Sequence, residues 1–318
     1  MRKILLAFAL VSASLMASAQ NYPTQPIKLI IPFAAGGPSD VLARGFVPKL
    51  GENLGQPIII ENKPGAGANL AAEYVANSKP DGYTLFLMMV GTQAINETLY
   101  KKLNYNLVKD FAPITLVGSS SLMFVATPSA PFKTIPELIA YAKAHPGKVN
   151  FGSSGTGTPL HLGGELFNSQ AGTDILHVPY KGAAPALTDV LGGQIQTAIV
   201  GTPAALPYVK SGKLTALGVT SLKRSPNAPE IPAISETIPK FEVELVYAIV
   251  APAETPKPII DKLNAQLISV LNNSEIKAQL NSRGFEVVTS TPAQLGDYIK
   301  SEVAKWGPIV KKSGASPE

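Results

Sequence analysis

Ile27-Lys28-Leu29-Ile30-Ile31-Pro32-Phe33-Ala34-Ala35-Gly36-Gly37-Pro38-Ser39-Asp40 is the stretch on which the fold turns. Its first seven residues form an apolar run of strand length. Two glycines follow, which let a backbone turn sharply or approach a ligand closely. Pro38 then suits the first turn of a helix, where its missing N–H costs nothing. The order strand, glycine loop, helix returns at 151–161, where Phe151 leads into Gly152-Ser153-Ser154-Gly155-Thr156-Gly157-Thr158-Pro159-Leu160-His161. Two such units are what two similar lobes facing one cleft would supply.

Working outward, the alternation continues. Runs at 57–61, 84–89, 114–117, 122–127, 175–179, 195–200, 216–220 and 243–250 read as strands. Most are continuously apolar, as in strands covered on both faces. Helices between them carry start signals. Thr134-Ile135-Pro136-Glu137 and Thr291-Pro292-Ala293-Gln294 have the capping-box spacing with proline in the first turn, and 258–271 is amphipathic. This pattern predicts an α/β fold with largely parallel sheets. In such sheets ligands sit beyond the C-terminal strand ends, where loops enter helix N-termini. Those loops are where function is sought.

Bulk composition narrows the classes. The chain has 318 residues and no cysteine, so neither a disulfide framework nor a thiolate nucleophile is available. Arg2 and Lys3 precede an apolar run at 4–15 broken only by Ser12 and Ser14, and Ala17-Ser18-Ala19 fits a small-residue cleavage pattern. Residues 1–19 are therefore expected to be a secretory signal cleaved after Ala19, with the mature protein in the periplasm. No cysteine in the next four residues offers a lipoprotein anchor. No later segment has the roughly 18 apolar residues of a membrane span, so no direct membrane insertion is expected. The remainder is long enough for two domains with substantial cores. Loss of Arg2 and Lys3 lowers the formal charge from +5 to +3. The other Lys and Arg are dispersed, whereas nucleic acid needs a concentrated basic face. A mild positive bias suits a small anionic ligand.

Five loops are candidates for the site. In the first, Phe33, Ala35, Gly36 and Gly37 approach the cleft, with Ser39 or Asp40 as helix cap. The amides at that helix start make an anion site, and Asp40 is expected to cap or to orient ligand-bound water. In the second, Ser153, Ser154, Gly157 and Thr158 combine hydroxyls and amides around a carboxylate. Each charge-assisted bond there contributes about 1.5–3 kcal/mol. His161 falls in the following first turn. This loop lacks the Gly-Lys-Ser/Thr of a phosphate loop, and Thr156 stands where a nucleophile elbow needs glycine. The third, His177-Val178-Pro179-Tyr180-Lys181-Gly182-Ala183, presents Tyr180 and the amides of Gly182 and Ala183, with Lys181 left to solvent. Two matching strand ends add Thr92 with Gln93, and Thr202. Each loop also has a plain reading as a strand-to-helix connection. Pro64-Gly65-Ala66-Gly67-Ala68-Asn69-Leu70 reads as a turn into a helix capped by Asn69, since it has only two of the three glycines of a dinucleotide fingerprint. The histidines, His145, His161 and His177, lack metal-site spacing, so neither metal nor cofactor is expected. A secreted serine hydrolase is the rival class, and its triad signature is missing.

These residues together bring out a family. Tyr22-Pro23, Pro26 to Phe33, Gly36-Gly37 and Asp40 are followed by Glu61-Asn62-Lys63-Pro64-Gly65-Ala66-Gly67, Lys79-Pro80-Asp81-Gly82-Tyr83-Thr84 and Asp110-Phe111-Ala112-Pro113-Ile114. Gly152-Ser153-Ser154-Gly155, His161-Leu162, His177-Val178-Pro179-Tyr180-Lys181-Gly182 and Val250-Ala251-Pro252-Ala253 complete the order. The chain resembles the Bug receptors, the extracytoplasmic solute-binding components of tripartite tricarboxylate transporters, over essentially its whole mature length. The resemblance implies a two-lobed periplasmic-binding-protein fold, with 20–118 and 241–318 in one lobe and 119–240 in the other. It implies a small carboxylate (a di- or tricarboxylate, acidic amino acid or aromatic acid) gripped between the first two loops, with ordered water at the first. It implies no catalysis, a monomer, and as partner a membrane transporter or, alternatively, a sensor kinase. Two departures stand out. Pro48 should kink the first helix, and Val246-Tyr247-Ala248 replaces a more usual aromatic pair with glycine.

Overall fold

The computed structural model describes residues 22–226 and 228–317. The expected signal segment and its cleavage after Ala19 lie outside them. Strand β1 (Ile27–Ile31) is central to the first lobe, paired in parallel with β2 (Ile58–Asn62) and β3 (Thr84–Met89). Helix α1 (Pro38–Leu54) connects β1 to β2, α2 (Asn69–Ala76) precedes β3, and α3 (Val90–Leu99) follows it without a break.

Strand β4 (Phe111–Ala126) builds both lobes. Its 111–121 portion pairs antiparallel with β9 (Glu244–Pro252), which in turn borders β3. Its 122–126 portion lies between β7 (Thr197–Gly201) and β8 (Thr215–Val219), again antiparallel. Beyond β7 come β5 (Asn150–Ser153) and β6 (Leu176–Pro179), both parallel. The runs at 114–117 and 122–127 are thus one strand, not two. Gly118 and the three serines between them look like a linker, yet Ser119, Ser120 and Ser121 are buried. Ser119 exchanges both backbone hydrogen bonds with Glu286 at 2.8 Å, and a Cβ on Gly118 would meet the Glu286 carbonyl at 3.0 Å. Register shifts at Pro113/Thr115 and Leu116/Gly118 bend the strand, as bulges do. The expectation of largely parallel sheets is corrected too. Every pairing that involves β4 or β9 is antiparallel, because these strands link the lobes rather than close a βαβ unit.

Helices cover the sheet: α4 (Ile135–Ala144), α5 (Pro159–Ala171), α6 (Ala183–Leu191), α7 (Thr202–Lys210), α8 (Lys257–Leu271), α9 (Ser274–Ser282) and α10 (Pro292–Ser313). Thr291 and Gln294 form the expected reciprocal cap of α10, at 3.2 and 2.9 Å. Thr134 accepts from Glu137 N–H, but the Glu137 carboxylate reaches Lys133 N–H instead of closing the box. Helix α1 continues through Pro48 to Leu54. The largest apolar core runs through both lobes, joining Phe86 and Trp306 to Phe124, Phe151 and Phe241. Helix α10 spans the lobes, with Lys312 Nζ 3.2 Å from Ser169 Oγ on α5.

Candidate functional site

The first loop is held from behind by Asp40. This carboxylate is 3% exposed. Its Oδ2 accepts from Gly36 N–H at 3.0 Å and Arg44 Nε at 2.7 Å, and its Oδ1 from Arg44 Nη2 at 3.1 Å and Asn62 Nδ2 at 3.2 Å. Asn62 Nδ2 also donates to the Phe33 carbonyl at 2.9 Å. The Arg44 hydrogen bond, with Gly36 and Asn62 assisting against burial, holds the Asp40 carboxyl down at about 2. Capping by Ser39 or Asp40 is corrected: the N-cap is Gly37 and has no side-chain cap. Asp40 instead reaches back to Gly36, which sits at φ +80°. Ser39 is buried beneath the helix start, while Ala35 and Gly36 face solvent.

The second loop has its own internal lattice. Buried Ser153 places Oγ 2.6 Å from His177 Nε2 and accepts from Gly155 N–H at 3.2 Å. Thr158 Oγ1 donates to the Gly155 carbonyl at 2.7 Å, accepts from Ser154 Oγ at 3.1 Å, and caps His161 N–H at 3.3 Å. His161 Nδ1 accepts from Gly157 N–H at 3.0 Å. That bond assigns the ring proton to Nε2, which faces Glu165 Oε1 at 3.7 Å. The His161 ring stacks on His177 at 3.8 Å. Burial, and after it the neighbouring His161, pushes His177 down to about 4. His161 is 4% exposed. It shapes the loop from behind and does not line the cleft.

Between the lobes lies a cavity of about 430 Å³. The second lobe contributes Ser154, Gly155, Thr156, Gly157, Thr158, Pro159 and Leu160; the first contributes Phe33, Ala66, Gly67, Met89, Thr92, Asn96, Leu99, Tyr100 and Leu245, and Pro317 closes one side. No charged side chain is among them. The Leu99 side chain comes so near that a Cβ on Gly157 would sit 2.6 Å from it, so α3 and the second loop touch. At the start of α5, the amide of Leu160 has no acceptor within the helix. The hydroxyl of Thr92, a residue only 9% exposed, has no partner among the described residues. A buried hydroxyl without a partner is costly.

Of the residues expected at the site, the cavity gathers Phe33, Thr92, Ser154, Gly157 and Thr158. Gly37 and the rest of the first loop lie outside its wall. Gln93 is fully buried, with Oε1 2.5 Å from the Tyr105 hydroxyl. Tyr180 donates to Asp189 at 2.7 Å, and Gly182 N–H ties the third loop to the Ser154 carbonyl at 3.3 Å, leaving Ala183 as the first residue of α6. Thr202 Oγ1 pairs with Ser121 Oγ at 3.0 Å beside a separate cavity of about 580 Å³. Tyr247, in the departing strand triplet, is buried against Phe285; its neighbour Leu245 reaches the cavity. Sequence reasoning missed Ala66, Gly67, Asn96, Tyr100 and Pro317. Its reading of Asn69 as a cap is corrected, because the N-cap is Ala68, at φ +77°. The signal available was Gly65-Ala66-Gly67 itself. Among the described residues no group of three or more His, Asp or Glu is placed to hold a metal, and no helix is long and apolar enough to cross a membrane.

Comparison with known proteins places this geometry. The model of the tripartite tricarboxylate transporter family receptor matches residues 42–315. Protein BugT of Bordetella pertussis is 35% identical over 300 residues, covering 94% of this chain and 92% of BugT. The solved periplasmic binding protein BugD is 35% identical with a TM-score of 0.76, over 93% of this chain and all of BugD. Rpa4515 of R. palustris, solved with adipate, is 33% identical with a TM-score of 0.80, over 94% of this chain and all of its own. MatC of Rhodopseudomonas palustris, solved with bound malate, is 32% identical with a TM-score of 0.76, over 91% of this chain and all of its own.

Proposed function

The chain belongs to the family of tripartite tricarboxylate transporter receptors, and from that premise we propose that it is a periplasmic receptor that captures a small carboxylate and presents it to a membrane transporter of that kind. Its family and fold are those of solute-binding receptors; in this reading the protein binds and releases without catalysis. The observation that carries the reading is the interlobe cavity of about 430 Å³, walled on one side by the Ser154–Thr158 loop and the start of α5.

In this reading the lobes are 20–118 with 241–318, and 119–240. The Leu160 amide and the Ser154 hydroxyl, turned from Thr158 Oγ1 toward the ligand, hold the carboxylate from the second lobe, with Gly157 and Thr158 keeping that loop in shape, while Phe33 and Thr92 line the cavity from the first. Asp40 stays out of direct contact, because its oxygens are already engaged by Arg44, Asn62 and Gly36 and its charge repels an anion. It keeps the first loop in shape. Closure of the lobes about the β4 and 243–244 crossings then removes the ligand from water, which strengthens every bond to it. A dissociation constant near 1 μM corresponds to about −8 kcal/mol, within reach of several charge-assisted bonds after ordering costs. Export follows from residues 1–19, with cleavage after Ala19.

The test is a thermal-shift screen of mature protein that has been unfolded and refolded to strip carried ligand. Acids are compared with their own amides. An acid at a hundredfold its dissociation constant adds about 2.7 kcal/mol of stability, and its amide adds little. Stabilisation by amides and not by any acid would remove the carboxylate from the proposal.

A further inference from the structure

We infer that the cavity of about 580 Å³ beside Thr202 is a second binding site, separate from the carboxylate cavity, for a small phosphate-bearing dianion held between Lys210 of one lobe and Arg283 of the other. The inference goes beyond the receptor reading and does not depend on it.

Residues opposite each other on paired strands share a face, and successive residues of one strand alternate between faces. Ser120 pairs with Leu245, which lines the carboxylate cavity. Ser121, the next residue, points to Thr202 and lines the other cavity. The two cavities therefore lie on opposite faces of the crossing strands. The walls of the second are α7 and the turn that ends α9. Thr202, Leu206 and Lys210 recur at helical spacing on one face of α7. The turn is drawn tight against that helix: a Cβ on Gly284 would sit 2.2 Å from Pro203 Cγ, and the residue is at φ +83°, so glycine is required on both counts.

The lining is cationic and rich in donors. Lys210 and Arg283 are its charged side chains, and no acid is among the residues of the wall. Of the three arginines among the described residues, Arg44 and Arg224 are paired with Asp40 and Glu236. Arg283 has no carboxylate partner among those residues, and neither has Lys210. Glu286 touches the lining from behind, where its Oε1 accepts from Ser225 Oγ at 3.2 Å. Ser121 and Thr202 are each 4% exposed. The bond between their hydroxyls uses one of two hydroxyl protons, so the other is left to donate to an acceptor in the cavity. A phosphate satisfies all three donors. The planar guanidinium fork takes two of its oxygens, the ammonium takes a third as a point charge, and the hydroxyl adds a bond. A lone carboxylate has too few oxygens to use them all.

The test is calorimetric titration of inorganic phosphate, at constant ionic strength, into mature protein refolded in phosphate-free buffer. Lys210→Gln and Arg283→Gln change exposed side chains and leave the core untouched; Ser154→Ala alters the carboxylate cavity instead. Phosphate is expected to bind the wild type, to be weakened at least about tenfold by each cation variant, and to be unaffected by Ser154→Ala. Absence of binding to the wild type overturns the site. Weakening by one cation variant alone overturns it as well, since the anion then answers to a single surface charge. Weakening by Ser154→Ala, with both cation variants unchanged, puts phosphate in the carboxylate cavity and overturns it too. Glycerol 3-phosphate titrated in parallel separates the sources. Tighter binding than inorganic phosphate, lost in the same two variants, makes the occupant a phosphate ester; weaker binding makes it free phosphate. The acid screen reads the receptor proposal separately, so either reading can fail alone.

Discussion

Neighbouring residues of one type have opposite fates in this protein, and their partners decide which. Ser153 turns inward to His177, 24 positions along the chain, while Ser154 faces the cavity. Both look equally suited to a ligand in the sequence, because the difference is made by an imidazole from β6. The same applies to Thr92 and Gln93: one is unpartnered in the cavity wall, the other is bonded to Tyr105. Residue types and loop positions were legible; side-chain direction, which depends on distant partners, was not. Asp40 gives a prediction at this scale. Asp40→Asn keeps the volume but removes the charge that holds Arg44, so stability at neutral pH should fall by about 1–3 kcal/mol, read from urea midpoints. The wild-type carboxyl is lowered from 3.8 to about 2 on folding. Its contribution is fully present above about 4 and disappears as pH falls through 2. The variant should lack that acid-side slope. A variant with the same slope and stability would show that the Arg44 and Gly36 bonds contribute nothing to the fold.

At the scale of elements, local signals did best where an element's boundary is set locally. The Thr291 box was readable because four consecutive residues make it. Its removal by Thr291→Ala should cost about 1 kcal/mol, visible as a lower melting temperature with an unchanged ligand profile. Signals failed where an element is completed by a remote one. Residues 118–121 join two strands into one because β9 pairs with them from Tyr247 to Glu244, and Glu286 bonds Ser119 on the other side. Pro48 shows tertiary packing overriding a local breaker. It lacks the N–H that would bond to the Arg44 carbonyl, yet α1 is held on both sides of it by buried Phe46, Val47 and Leu50. Because Pro48 itself is exposed, Pro48→Ala should restore that bond without disturbing the core. A gain of about 1–3 kcal/mol is expected, measured by chemical unfolding; a loss would mean that the helix is better served by proline at this position.

The lobes share strand β4 and the largest apolar core, and two titrating groups on opposite sides of that strand shape the response of the whole molecule to pH. His177, beneath the second loop, is lowered from 6.5 to about 4, by burial first and His161 second. The unfolded chain therefore binds more protons between those values, and stability from this site rises with pH from about 4 to about 6.5. Glu244 lies where β9 begins, opposite Ser121 in the crossing strand. Burial, and then the charges of Glu242 and Glu286, raise it from 4.5 to about 7, with a Ser119 bond and Lys305 acting against them. Here the folded chain binds more protons, so stability from this site declines from about 4.5 to about 7. The two slopes have opposite signs over nearly the same interval. Wild-type stability should be nearly flat across it, although each group alone would make it steep. Glu244→Gln keeps the shape without the charge and should leave a profile that rises with pH. His177→Asn removes the imidazole and should leave one that declines. Urea midpoints of the refolded protein across this range read both. If both single variants were as flat as the wild type, neither group would be titrating with the fold. If the double variant is flat while the singles slope in opposite directions, the flatness of the wild type is a cancellation between the ligand loop and the crossing strand.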